Sequence, residues 1–384
     1  MKYIDTNNGG IKSWCSNIED NALVQAVNLT KLPFTFRHVA LMPDCHTGYG
    51  MPIGGVLATK NVIIPNAVGV DIGCGVQAQR TDLTDLDTNT LKSIMSKIRD
   101  KIPVGFKHHK ERQEWCGFDD APDISIIQKE LNSSQHQLGT LGGGNHFIEI
   151  QGGDDGYIWV ILHSGSRNFG YKIANEYHKI AKNLCEMWHS NIPDKDLSFL
   201  PIDTKLGEEY KEAMDYALLF AHENRNRMMD LIKESIAEVL VCDFDKDDNY
   251  DVHHNYAIME HHYGKNVMLH RKGAICVREK MVGIIPGSQG TCSYIVTGKG
   301  DKESYNSCSH GAGRRMGRKQ ACRELNLDEE IKRLDDRGIV HSIRRVEDLD
   351  EAPSAYKDIG EVMESQKDLV DIKVKLSPLG VIKG

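Results

Sequence analysis

Seven short glycine-bearing segments hold most of the residues in this sequence that could do chemistry. They are MPDCHTGYG at 42–50, GVDIGCG at 69–75, GGGNHFIE at 142–149, LHSGSR at 162–167, VHHN at 252–255, PGSQG at 286–290 and SHGAGR at 309–314. Glycine beside a polar side chain lets the backbone approach a ligand closely and adopt positive φ. Seven such junctions are more than turn formation alone requires. Asp71 and Cys74 stand three apart on a tight turn, which can bring a carboxylate and a thiolate to one ion or to a pair that the thiolate bridges. The same pair also reads as a turn cap beside a small buried thiol. His146 opens an apolar run and His163 closes one, both where a strand meets a loop. Taken singly, each reads better as a hydrogen-bonded core histidine. His253 and His254 are neighbours and in extended chain face opposite ways, so at most one joins a common site. Asp71, Cys74, His146, His163 and one of that pair form a mixed oxygen, sulfur and nitrogen set. Such a set suits Mn²⁺, Zn²⁺, Co²⁺ or Fe²⁺, and its wide spacing suits a catalytic site with open positions.

His310 has a different setting. It precedes Gly-Ala-Gly and then Arg314, Arg315, Arg318 and Lys319. Backbone N–H groups of such a turn, opening a helix, can cradle phosphate, and arginines bind phosphate bidentately. A histidine there is either a phosphoryl or nucleotidyl acceptor or a cap on a solvated basic helix. Ser-Gly-Ser-Arg at 164–167 suggests a phosphate or nucleic-acid contact, with a surface ion pair as the alternative for Arg167. No GxxxxGK[ST], strand-linked GxGxxG or GxSxG element is present, so P-loop, Rossmann and serine-hydrolase chemistries lack support.

The elements that must hold these residues are legible in outline. Helical periodicity marks 171–190 and 207–240, where Ala213, Tyr216, Ala217 and Phe220 recur at three and four apart, and more weakly 87–101 and 123–137. Short strand signals fall at 38–42, 55–58, 61–64, 74–80, 146–150, 157–163, 266–269, 281–285 and 293–297. Strands towards both ends and helices in the middle predict an α+β class, and no linker divides residues 1–384, so one domain is expected. A 40% apolar, 27% charged composition predicts a folded core, and a net charge of −8 excludes a uniformly basic nucleic-acid coat. No apolar run of about 18 residues suggests a membrane span. The start lacks a leader pattern, and ten scattered cysteines without a CxxC pair read as reduced thiols, so a cytoplasmic location is expected.

Together PDCHTGYG, GVDIGCG, GGGNHFIE, LHSGSR, HHN, PGSQGT, SHGAGR and the terminal LGVIKG resemble the RNA-splicing ligase RtcB family, in order, from about residue 37 to the last. The resemblance implies an α+β, RtcB-like fold of stacked mixed β-sheets with packed helices. It implies a ligase dependent on GTP and two Mn²⁺ ions. Such a ligase joins RNA ends bearing a 3′-phosphate or 2′,3′-cyclic phosphate to 5′-hydroxyl ends, in RNA repair or tRNA splicing. A histidine is guanylylated, the guanylyl group passes to the RNA 3′-phosphate, and the 5′-hydroxyl then expels GMP. Carried over by motif, Asp71, Cys74 and His146 hold one ion, and Cys74, His163 and His254 the other. His254 is preferred because the family's ligand directly precedes Asn. His310 is the implied nucleophile and Asp44 its orienting carboxylate. Asn145 contacts phosphate and Glu149 the guanine edge. Ala312 and Gly313 line the nucleotide site, with Ser293, Tyr356 and Lys383 as further nucleotide contacts. Arg167, Arg314 and Arg315 are the implied RNA contacts, and an archease-like activator is an implied partner. Gln289 and Val76 stand where Met is frequent in relatives. Two rival readings use the same residues: a metal-dependent phosphoesterase that releases phosphate without GTP, and a non-catalytic RNA-binding relative whose salt-sensitive binding survives loss of His310.

Overall fold

Two large sheets organise the computed structural model, which describes residues 1–7 and 9–384. One has six strands in the order Lys2–Thr6, Gly9–Ser13, Thr35–His46, Ile53–Thr59, Lys265–Lys272 and Asn255–His262. Only its second and third strands run parallel. The other has seven, all antiparallel, in the order Phe244–His253, Gly75–Thr81, Ile158–Ser164, Phe147–Gly153, Val370–Lys383, Ser293–Gly298 and Val282–Ile285.

The sheets pack face to face, and strand alternation shows how. In Ile158–Ser164, Trp159 and Ile161 enter the core between the sheets with Phe36, Ala40 and Leu269 of the other sheet. Ile158, Val160 and Leu162 turn the opposite way, onto Leu91, Met228 and Ile232 of helices Thr88–Lys101 and Lys205–Ala237. Covered on both faces, such strands read as unbroken apolar runs. By the same alternation His163 falls on the inward face, as do Cys74, in phase with Val76 and Ala78, and Glu149, in phase with Phe147. Helix Asp20–Thr30 covers the outer face of the six-stranded sheet through Ala22, Ala26 and Leu29 on Val39, Leu41 and Leu57. Helices Ser125–Gln137, Arg167–Met187 and the first half of Lys205–Ala237 share a cluster around Phe169, Tyr177 and Phe220.

The α+β class holds, and every expected strand and helix overlaps an observed one, though 61–64 retains only Val62–Ile63 as strand. Helices are not confined to the middle: Asp20–Thr30 lies near the start, and Arg318–Glu324, Leu327–Asp335 and Ile359–Ser365 near the end. Among the described residues no helix is long and apolar enough to cross a membrane.

Candidate active site

The chemistry-bearing segments converge because several strand ends of the sandwich meet at one place. Cys74 precedes strand Gly75–Thr81, His146 precedes Phe147–Gly153, and His163 and Lys383 lie at the far ends of Ile158–Ser164 and Val370–Lys383. His254 occupies the step where the chain leaves one large sheet for the other, between Phe244–His253 and Asn255–His262. Its N–H donates to the Cys74 carbonyl at 2.9 Å. A cleft of about 820 Å³ opens over these ends.

Cys74 is the hub. Its Sγ lies 3.4 Å from His146 Nε2 and 3.2 Å from His163 Nε2. It belongs to two compact donor groups, Asp71–Cys74–His146 and Cys74–His163–His254, each with ligand atoms within 4.8 Å of one another. His146 Nε2 lies 3.0 Å from Asp71 Oδ2, while its Nδ1 sits between the Leu141 carbonyl and the Arg167 guanidinium, each 3.0 Å away. The Asn145 carbonyl, 3.2 Å from His163 Nδ1, calls for a proton there and leaves the Nε2 lone pair toward Cys74. Burial holds the imidazoles of His163 and His254 well below their ordinary range, so both are neutral lone-pair donors. Burial pushes the Cys74 thiol up, and the Asp71 carboxylate adds to that. Burial opposes the Asp71 charge too, but His146 and Arg167 outweigh it and hold the carboxyl below its usual range. Asp71 Oδ1 and His254 Nδ1 are buried with no hydrogen-bond partner. Buried, unpartnered oxygen and nitrogen atoms beside a two-sided thiol fit divalent ions of the borderline class. His253 takes no part: its ring packs edge-on to Tyr256, centroids 4.3 Å apart.

His310 stands next in line, its ring centroid 4.7 Å from that of His254. The fully buried Asp44 accepts from its Nδ1 at 2.6 Å and from its backbone N–H at 3.1 Å. That fixes the Nδ1–H tautomer and leaves Nε2 as the free lone pair at the cleft wall. Two glycines make the fit possible. Gly313, at φ +73°, sits so close to the Asp44 carbonyl that a Cβ would fall 2.3 Å from its oxygen; a Cβ at Gly273, φ +64°, would press on Ile53 and approach His310. The Gly-Ala-Gly turn does not open a helix, contrary to the expectation: residues 311–317 run as bends and a single bridge, and the helix begins at Arg318.

Asn145, Glu149, Ala312, Gly313, Tyr356 and Lys383 all line the cleft. Burial raises Glu149 to about 8 despite the pull of Lys383, whose own ammonium burial pushes down. The Tyr356 hydroxyl bonds Glu351.

The sequence model of the family described as tRNA-splicing ligase RtcB matches residues 25–384. The chain belongs to the RtcB family. It is 36% identical to the RNA-splicing ligase RtcB1 of Escherichia coli ATCC 25922 over 411 aligned positions, with all of both chains covered. It is 33% identical to the tRNA-splicing ligase RtcB of Pyrobaculum aerophilum over 442 positions, covering 95% of this chain and 91% of that one.

Within this RtcB-family chain three expected site residues stand elsewhere than on the cleft wall, and a fourth reaches it with its guanidinium already engaged. Ser293 is fully buried behind it, its hydroxyl accepting from Gly287 N–H at 3.1 Å and from Gln151, which in turn donates to Glu149. Arg167 turns inward, 3.0 Å from His146 Nδ1, at the start of its helix with φ +59°. Arg314 reaches the cleft, yet its nitrogens are engaged by the Met316 and Asp350 carbonyls and by Glu351, and its guanidinium lies over the Tyr356 ring. Arg315 is exposed and donates to the Ser354 carbonyl.

Other residues of the site escaped the sequence reading. Glu351, buried between Arg314 and Arg318, lies in the acidic run EDLDE, which reads as solvated surface. Lys272 lines the cleft with its Nζ 2.6 Å from the Tyr49 carbonyl, and burial lowers it to about 7. Arg225 is 1% exposed. It donates to the Gly73 and Ser164 carbonyls at 2.9 and 3.1 Å and pairs with Asp251. Asn224 beside it bonds the backbone at 139, 140 and 165. Their signal was available: both interrupt the apolar face that carries Ala217, Phe220, Ala221 and Met228.

Proposed function

We propose that this chain is a GTP-dependent RNA ligase that joins 3′-phosphate or 2′,3′-cyclic phosphate ends to 5′-hydroxyl ends through a guanylylated His310. The observation that carries the reading is the Asp44–His310 pair at the wall of a cleft that also holds two borderline-metal donor groups. Two Mn²⁺ ions, held by Asp71, Cys74 and His146 and by Cys74, His163 and His254, would offset phosphate charge and polarise the attacked phosphorus. His310 Nε2 supplies the lone pair for a P–N bond to the α-phosphate of GTP while the bond to the β-phosphate breaks and pyrophosphate leaves. Asp44 holds the Nδ1 proton and stabilises the positive charge that grows on the ring. An RNA 3′-phosphate oxygen then takes the guanylyl group, regenerating neutral His310, and the 5′-hydroxyl attacks that RNA phosphate and expels GMP. Glu149 and Lys383 suit the donor and acceptor edges of guanine; Asn145, Ala312, Gly313 and Tyr356 line the rest of the nucleotide path. The whole chain, 1–384, acts as one catalytic unit in tRNA splicing or RNA repair, with an archease-like activator as a candidate partner. All ten cysteines are free thiols, which suits a reducing cytoplasm.

The test is incubation with α-³²P-GTP and Mn²⁺ followed by a denaturing gel. Wild-type protein should retain label and His310→Ala should not. Metal-loaded wild-type protein that takes no label, with or without RNA ends, would overturn the reading.

A further inference from the structure

The chain carries a net charge of −8, and the arginines expected to meet RNA are largely occupied elsewhere. Arg167 packs on a ligand histidine and Arg314 is engaged by Glu351 and two carbonyls. One segment stands apart. Residues 105–112 read Gly-Phe-Lys-His-His-Lys-Glu-Arg. Phe106 is 103% exposed, more than any other large apolar side chain among the described residues. Lys107, Lys110 and Arg112 are exposed, and among the described residues none has a carboxylate within ion-pair distance. A lone exposed aromatic needs no explanation. An exposed aromatic among three unpaired cations, on an acidic protein, is a different matter.

The segment is held in position and held at the cleft. Val104 bridges Gly142, and the Gly105 N–H donates to the Gly142 carbonyl at 2.8 Å. The next two glycines, Gly143 and Gly144, line the cleft. Further along, the His109 N–H donates to the His136 carbonyl at 3.0 Å, and the Gln113 N–H to the Gln135 carbonyl at 2.9 Å. Gly105, at φ +66° with open space around it, provides the turn that throws Phe106 outward.

We propose that residues 106–112 bind the single-stranded end of the RNA as it enters the cleft, an inference that rests on the ligase reading above. One unpaired base stacks on Phe106, and backbone phosphates meet Lys107, Lys110 and Arg112. Aromatic stacking between cations is how a protein grips a single strand without reading its sequence, and a paired base offers no free face to stack.

The test uses full-length Phe106→Ala, Phe106→Trp and the triple variant Lys107→Gln/Lys110→Gln/Arg112→Gln. Binding of a fluorescein-labelled, 3′-phosphorylated single-stranded RNA is measured by anisotropy at several salt concentrations. Phe106→Ala should weaken binding about tenfold, and Phe106→Trp should restore it. The triple variant should bind less tightly and lose about 2 from the slope of log affinity against log salt. If wild-type protein takes the guanylyl label and binds RNA, and the variants match its affinity and slope, the loop's role is overturned and the ligase reading stands. Wild-type protein that takes no label and binds no RNA overturns both.

Discussion

Replacing Arg225 with methionine isolates the contribution of one buried side chain to the candidate metal centre. Arg225 touches none of the candidate ligands, yet it bonds the neighbours of two members of one donor group and the strand that leads into the third. Its NH1 donates to the carbonyl of Gly73, which precedes Cys74, and to that of Ser164, which follows His163. Its Nε and NH2 hold both oxygens of Asp251, on the strand that leads into His254, at 2.6 and 3.0 Å. Methionine preserves the apolar stem and removes all four bonds. Breaking a buried ion pair costs about 3–5 kcal/mol. The lower end applies here, because His222 still faces Asp251 and the carboxylate is 13% exposed. Loss of such supporting contacts lowers metal affinity by roughly 10- to 100-fold. Urea unfolding reads the first effect. Titration with Co²⁺, followed by its thiolate charge-transfer absorption, reads the second without any need for activity. Met214→Ala is the control: it lies on the same helix, is fully buried in the Phe169–Tyr177–Phe220 cluster, and costs a comparable 2–5 kcal/mol. That variant should keep wild-type Co²⁺ affinity. An Arg225→Met protein that binds Co²⁺ as tightly as Met214→Ala, with an unshifted band, would refute the positioning argument, whatever its stability.

Two further expectations follow from histidines, one at the cleft wall and one in the core. Asp44→Asn keeps the size of the side chain but removes the charge that fixes the His310 tautomer, so guanylylation in single-turnover labelling should slow by roughly 10²- to 10⁴-fold; a rate within threefold of wild type would show that Asp44 does not orient the ring. His270 is fully buried; its Nε2 accepts from the Ile64 N–H at 3.0 Å, and burial lowers it to about 4. The unfolded chain therefore binds a proton near pH 6.5 that the folded one refuses until about 4. Stability from this residue is complete above ~6.5 and falls by about 3 kcal/mol on the way down to about 4. Urea midpoints measured across that interval should fall less steeply in His270→Gln, and identical slopes would refute the assignment.

What the sequence disclosed and what it withheld divide along physical lines. The helices of 171–190 and 207–240 were legible because each keeps one apolar stripe over many turns, and the central strands because β-branched runs end in glycine or asparagine. Strand Phe244–His253 was not, because FDKDDNYDVH sits at a sheet edge and carries edge-strand charge rather than alternation. Helix Asp20–Thr30 escaped because two of its four buried residues are alanine and one is threonine, too weak a periodic signal. The candidate ligands could be named because His, Cys and Asp beside glycine have few bland explanations in such number. Arginine has many, and its role depends on what lies across the fold. Arg167 and Arg314 both read in sequence as phosphate contacts, but the groups that meet them come from elsewhere in the chain: His146 for Arg167, Glu351 and the Asp350 carbonyl for Arg314.

That dependence bears on how an acidic protein meets RNA. The guanidiniums that line the cleft, Arg314 and Arg318, already pair with Glu351, so drawing them toward a phosphate would strip a buried carboxylate of its partners and cost more than the new contact returns. Burial alone would raise Glu351, and it stays low because Lys383, Arg314 and Arg318 surround it. Interior cations thus set the shape and field of the cleft, and attraction for an incoming strand has to come from cations with nothing to lose. Lys107, Lys110 and Arg112 meet that condition, and they hang from the same glycine segment that leads to Asn145 and His146. A strand gripped there is delivered along the backbone that carries His146, the first histidine of the candidate metal site.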